Sequence, residues 1–205
     1  MSTNLLHLDS SIQGASSVSR TLSASVVVQL KKAHPGLHVT YRDLAAAPIA
    51  HLSGPYLSAG RTGQQQHDPV LKADLDLGNE VLEEFLAADI VVVGIGFYNF
   101  GIPSQLKAWI DRLAVAEKTF RYTEKGPEGL ASGKRVILAI ARGGFYGSGT
   151  PSESFEHAES YLRGIFAFFG IPDIEVVAAE GLAAGHAARE AGLARAERDI
   201  EALAT

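Results

Sequence analysis

Apolar residues along the chain fall into short unbroken runs separated by longer stretches in which they recur every three or four positions. Ile90 to Val93 is β-branched throughout, too short to span a membrane and without the alternation of a half-exposed strand. It therefore reads as a parallel strand buried on both faces, ended by Gly94 and Gly96. Pro103 suits a first helical turn, and Leu106, Trp109, Ile110 and Leu113 keep the spacing of one apolar helical stripe. Before this centre, Asn4 to Leu8 predicts a strand and Asp9 to Ser19 a serine-rich loop. Leu22, Val26, Leu30 and Ala33 then predict a helix that Pro35-Gly36 ends, and Leu37 to Tyr41 a second strand. Leu44 to Asp68, with Pro48 and Pro55 and no sustained period, predicts an irregular excursion. Leu71, Leu75, Val81, Leu82, Phe85 and Leu86 predict a helix over Val70 to Ala87.

After the Trp109 helix, Thr119 to Leu130 carries Gly126-Pro127 and Gly129 between short β-prone pieces, the pattern of a hairpin-like insertion. Strand and helix then alternate again: Lys134 to Ala141, Ser154 to Phe169, Asp173 to Ala179, and an alanine-rich helix over His186 to Leu203. Five strands alternating with five helices predict an α/β fold, a three-layer doubly wound parallel sheet of flavodoxin-like order 2-1-3-4-5, with residues 1–205 forming one domain.

In such a sheet ligands bind beyond the carboxyl ends of the strands, so the segments that follow strands one, three and four carry the candidate chemistry. The first, SSIQGASSVSRTL, sets hydroxyls and a glycine before a helix. A phosphate at a helix N-terminus gains unsatisfied N–H groups, the positive end of the dipole and any nearby hydroxyls, and Ser17 and Ser19 are the candidate hydroxyls. A serine that merely caps the helix is the competing reading. The second segment is Phe97-Tyr98-Asn99-Phe100: three aromatics and an amide provide a flat apolar wall with hydrogen-bonding edges, suited to a planar heteroaromatic ligand. The third, Arg142-Gly143-Gly144, lets backbone N–H groups come close to such a ligand.

Other chemistries are disfavoured. Gly94-Ile95-Gly96 fails as a dinucleotide fingerprint, because Asn99 occupies the third glycine position and the segment follows the third strand. Gly133-Lys134 precedes a strand and is no triphosphate-binding loop, and there is no G-x-S-x-G nucleophile elbow. Of the histidines at 7, 34, 38, 51, 67, 157 and 186 only His34 and His38 stand at HxxxH spacing, and Pro35-Gly36 between them breaks the helix that would put both on one face, so no metal is expected. The chain has no cysteine, hence no disulfide or thiolate. With 205 residues, 46% hydrophobic, and a net charge of −5 with scattered lysines and arginines, it should bury a good core. It shows no footprint for nucleic acid or an anionic membrane. A cytoplasmic protein acting on a small molecule is expected.

FYNFGIPSQLKAWID resembles the flavin-facing loop and following helix of the FMN-dependent NADH-azoreductases, relatives of the NAD(P)H:quinone oxidoreductases. The resemblance extends in order through LDSSIQGASSVSRTL, RDLAAAPI, TFRYTEKGPEGLASGK and ARGG. It implies non-covalent FMN, its phosphate at Ser11, Ser17, Val18 and Ser19. The ring would lie against Phe97, Tyr98, Asn99 and Phe100 and against Ala141, Arg142, Gly143 and Gly144. The family carries a serine where this chain has Ala141, so a hydroxyl contact is lost there. NADH would reduce the flavin, which would reduce a quinone or an azo compound, with no catalytic side chain assigned. Phe120 and Tyr122 in the insertion would cover the ring from the solvent side. A homodimer is expected, through the exposed side of the Trp109 helix and the broad apolar surface of Tyr161 to Phe169. The rival is a flavodoxin-type electron carrier, for which this chain is long and only mildly acidic. A regulatory module that binds no cofactor is the third reading.

Overall fold

The structure, a computed structural model, describes residues 3–62 and 68–203; His67 and part of the 44–68 excursion lie outside them. Its main sheet is parallel, built from β1 (Asn4–Asp9), β2 (His38–Asp43), β3 (Ile90–Gly96), β6 (Arg135–Ala141) and β7 (Ile174–Ala179) in the order β2-β1-β3-β6-β7. This is the predicted flavodoxin-like order, since the two strands between β3 and β6 form a separate antiparallel hairpin, β4 (Phe120–Thr123) with β5 (Gly126–Gly129). The strand order reverses between β1 and β3, where Asp9 is in register with Gly94.

Each face of the sheet is covered because its inner strands β1, β3 and β6 bury apolar side chains on both sides. On one face Leu22, Val26 and Leu30 of α1 (Val18–Ala33) and Ala196 and Ile200 of α6 (His186–Ala202) pack on Leu5, Val92 and Ile137. On the other, α3 (Pro69–Ala87), α4 (Ser104–Leu113) and α5 (Ala158–Phe168) bury Phe85, Trp109 and Phe166 over Leu6, Val93 and Leu138. Trp109 meets Phe85 edge-on at 5.9 Å. Side chains of this size contribute roughly 1.5–3 kcal/mol each when fully buried.

Four boundaries differ from the sequence expectation. Within the supposedly irregular excursion lies α2 (Gly54–Thr62), begun by Ser53, whose hydroxyl accepts the Tyr56 N–H at 3.2 Å. β3 runs through both glycines instead of stopping at them. A Cβ on Gly94 would lie 2.3 Å from the Asp9 carboxylate, so the glycine serves close packing between strands. Pro103 is the N-cap of α4, one residue outside the helix. Finally, α5 begins at Ala158, after a 3₁₀ turn at Glu153–Phe155, because the Glu156 carboxylate accepts the N–H groups of Ala158, Glu159 and Ser160 and fixes the start there.

Candidate functional site

The segments after β1, β3 and β6 converge on a cleft of ≈ 320 Å³ at the carboxyl edge of the sheet. One end is made by the first loop. Ser10 anchors it, donating its hydroxyl and N–H to the Gly94 carbonyl at 2.7 and 3.1 Å. Ser17 is the N-cap of α1, accepting the Arg20 N–H at 3.4 Å, and its hydroxyl lies 3.1 Å from that of Ser19. Capping and ligand binding are thus compatible. The Val18 and Ser19 N–H groups, in the first turn, have no acceptor within the helix, so they and the hydroxyls form an anion-binding end. Gln13, Ser16, Ser17, Val18 and Ser19 line it.

Behind the loop, Arg20 turns away from the cleft. It donates to the Ser11 carbonyl at 2.9 and 3.2 Å and forks onto Asp43 at 2.6 and 2.7 Å, with the Asp9 carboxylate at 3.9 Å. The Arg20 guanidinium, by hydrogen bonding, holds the Asp43 carboxyl down at about 2. Asp9 also accepts the hydroxyls of Ser23 (2.8 Å) and Tyr41 (3.0 Å). Burial is the main cause that pushes the Tyr41 phenol up to about 12, and burial holds the adjacent His7 below its ordinary value. These bonds fix the loop from beneath.

The other end of the cleft is aromatic. Tyr98 crosses Gly96, where a Cβ would come within 2.6 Å of its ring, and its hydroxyl lies 2.8 Å from that of Ser11. Tyr98 to Gly101 is a two-residue reverse turn closed by both backbone hydrogen bonds, with Asn99 at φ 47° and Phe100 at φ 71°. Such turns favour Asn or Gly. A phenylalanine in the left-handed region costs roughly 1–2 kcal/mol and marks a place where local strain is tolerated. Phe100 stacks on Phe155 at 5.1 Å, and Phe97 packs on Tyr146 at 4.7 Å. Phe100 and Phe155 remain about half exposed, so this end offers an apolar surface beside the cleft.

Of the residues singled out from sequence, Ser11, Ser17, Val18, Ser19, Phe97, Tyr98, Ala141 and Gly143 line the cleft, while Asn99, Phe100, Arg142 and Gly144 do not. The Arg142 side chain is buried on the other side of its strand end, bonded to Glu156 (3.1 Å), Glu159 (2.9 Å) and Glu180 (3.1 Å). Gly144 contributes its carbonyl to Gly181. Phe120 turns inward onto Phe168 at 4.6 Å, and Tyr122 is largely exposed. Most of the Tyr161–Phe169 apolar surface is used inside the chain: Leu162, Phe166 and Phe169 are buried, and Tyr161, Ile165 and Phe168 pack against the same core.

The sequence reading missed Gln13, Ser16, Gly96, Leu182, Ala183 and Arg189, which also line the cleft. Gly96 reads from sequence only as the end of its strand. The last three arrive from beyond β7 because the backbones of 142–144 and 181–183 pair past the ends of β6 and β7. No short-range pattern signals that pairing.

A family model described as "Flavodoxin-like fold" matches residues 3–204. The chain is 58% identical over 200 residues to an FMN-dependent NADH:quinone oxidoreductase of Xanthomonas campestris pv. campestris, covering 97% of this chain and 98% of the relative. It is 57% identical to one from Methylorubrum extorquens, covering 94% of each. Among solved structures, an azoreductase from Bacillus anthracis superposes with a TM-score of 0.90 at 29% identity, covering 98% of both chains. An FMN-dependent NADH-azoreductase from the same species, in complex with FMN, gives 0.89 at 27% identity and covers 100% of this chain and 98% of that one. A cleft with an anion-binding helix end and an aromatic turn at the sheet's switch point, in a chain matched over nearly its whole length by these proteins, places it in a family: it belongs to the flavodoxin-like FMN-dependent NADH:quinone oxidoreductases, the azoreductase family.

Proposed function

We propose that the protein is an FMN-dependent NADH:quinone oxidoreductase that also cleaves azo compounds reductively. The observation that carries this reading is one cleft that joins unsatisfied first-turn donors of α1 to an aromatic turn at the switch point. The residues present fit FMN. Hydroxyls and backbone N–H groups face one end, Phe97 and Tyr98 wall the other, and Gly143 removes a side chain where a ring must approach.

In this reading Ser17, Val18 and Ser19 hold the phosphate, Ser11 and Tyr98 close the wall beside it, and the 97–100 and 141–144 segments position the ring. Arg142 serves the site through its backbone, its side chain being committed to carboxylates. What FMN supplies when bound is two-electron transfer, from NADH to a quinone or azo compound in alternating half-reactions. The chain's share is orientation and exclusion of water. The turn segments cover one side of the ring position and leave one site that nicotinamide and acceptor occupy in turn. The exposed Phe100 and Phe155 offer flat apolar contact to a planar acceptor.

The test is spectroscopic and kinetic together. Purified protein should be yellow and release FMN, NADH alone should bleach it anaerobically, and double-reciprocal plots against a quinone at several NADH concentrations should be parallel. Intersecting lines without anaerobic bleaching would contradict the shared site.

A homodimer belongs to the same proposal. Three exposed aromatics around the ring end, Phe100, Phe145 and Phe155, support it better than α5, whose apolar surface is largely consumed internally. Sedimentation should give a dimer at micromolar concentration. A fully active, FMN-loaded monomer would contradict it.

A further inference from the structure

We infer that Arg189, on α6, is the cation that binds the cofactor's phosphate and makes the cleft select a phosphorylated flavin over an unphosphorylated one. This rests on the reading of the cleft as an FMN site.

The argument begins with charge. A phosphomonoester carries about −1.5 to −2 at neutral pH. The anion end of the cleft offers hydroxyls, backbone N–H groups and a helix terminus equivalent to roughly +0.5, which leaves a deficit of about 1 to 1.5 positive charges. The neighbouring cation, Arg20, does not fill it. Its guanidinium faces the opposite side of the loop, bonded to Ser11 and Asp43 and lying 3.9 Å from Asp9. Those two carboxylates outnumber it, so the ground beneath the loop is net negative. The chain as a whole carries −5.

Arg189 is the single charged residue among those described that line the cleft, and no carboxylate lines it. From the first turn of α6 it lines the same cleft as Leu182 and Ala183 and as the serines of the first loop. Among the described residues its side chain makes a single long hydrogen bond, 3.4 Å to the Leu182 carbonyl. Among the described residues it has no carboxylate within ion-pair distance, unlike Arg195, which pairs with Asp199 on the same helix. A guanidinium exposed at the rim, left without an anion and set beside an anion site, has the donor geometry that phosphate takes up in a fork.

The experiment is a fluorescence titration of flavin-stripped full-length protein with FMN and with riboflavin, at low and high salt. The proteins are wild type, Arg189→Gln and Arg189→Lys, with circular dichroism to confirm that each is folded. The inference expects the Gln variant to bind FMN about tenfold or more weakly, with riboflavin affinity unchanged and the Lys variant recovering part of the loss. FMN binding by wild type should also weaken with salt more steeply than in the Gln variant. Equal losses for FMN and riboflavin would mean that Arg189 shapes the Leu182 wall and not the charge, and would overturn the inference. So would unchanged FMN affinity in the Gln variant. If wild type took up neither flavin, the FMN reading itself would fall, and this inference with it.

Discussion

At the anion end of the cleft the serine loop is tied into the chain and leaves the first-turn N–H groups of α1 facing outward, whereas the aromatic end is strained and partly exposed. Ser10, Ser11 and Ser17 are held by Gly94, Tyr98 and Arg20, and the loop is fixed from beneath by Arg20, Asp43 and Asp9. At the other end two non-glycine residues sit at positive φ, and Phe100, Phe145 and Phe155 stand half exposed. The contrast separates two tasks. A preorganised end supplies affinity because little ordering remains to be done on binding. An apolar, adaptable end accepts chemically different planar acceptors. The aromatic end is nevertheless anchored at one buried point, Arg142, whose partners reach the start of α5 and, through Glu180, the N–H of Tyr146.

The largest effect should come from removing that anchor. Arg142→Leu leaves three carboxylates around a buried site without their cation, which should cost about 3–5 kcal/mol. At roughly 2–4 °C per kcal/mol for a chain of this size, the melting temperature should fall by about 10 °C, read by calorimetry. A fall of only a degree or two would show that the ring end does not depend on this network.

Next comes the anion end. Ser17→Ala with Ser19→Ala removes two hydroxyls facing a charged acceptor, each worth roughly 1.5–3 kcal/mol, so the FMN dissociation constant should rise at least tenfold. Unchanged affinity by fluorescence titration would place the phosphate elsewhere.

Acid sensitivity sharpens the contrast further. The folded Asp43 carboxyl is held at about 2 against an ordinary 3.8, so its pairing with Arg20 stabilises the fold fully above 3.8 and is lost as pH falls from there through about 2. Asp43→Asn should flatten stability against pH across that window in acid denaturation curves. An identical acid limb in the variant would remove Asp43 from the account of the anion end.

The smallest expected change in stability is at the strained turn. Phe100→Gly deletes stacking on Phe155, about 0.5–1.5 kcal/mol, but relieves a left-handed strain of about 1–2 kcal/mol. The melting temperature should therefore stay within a few degrees while kcat/KM for a planar quinone falls. A large drop in stability would mean that the turn is a packing element.

What sequence made legible follows the same division. β3 and β6 announce themselves as unbroken apolar runs, and α1, α3 and α4 as stripes, because burial on two faces or on one imposes those periods. Ser17 and Ser19 were legible because a helix start has its own residue chemistry. By contrast α2, nine residues long and largely solvent-facing at its described positions, presents too little apolar face to set a period. Leu182, Ala183 and Arg189 reach the cleft through pairing with a segment some forty residues earlier, and the direction of the Arg142 side chain depends on Glu156, Glu159 and Glu180 gathering on its far side. Local patterns contain neither.

The central claim is that the two ends of one cleft divide the cofactor between them. The most direct measurement is a crystal structure of the protein with FMN. The account predicts phosphate oxygens within hydrogen-bond distance of the Val18 and Ser19 N–H groups and the ring against Phe97 and Tyr98. Phosphate bound away from the start of α1, or the ring seated outside the Phe97–Gly143 walls, would contradict it.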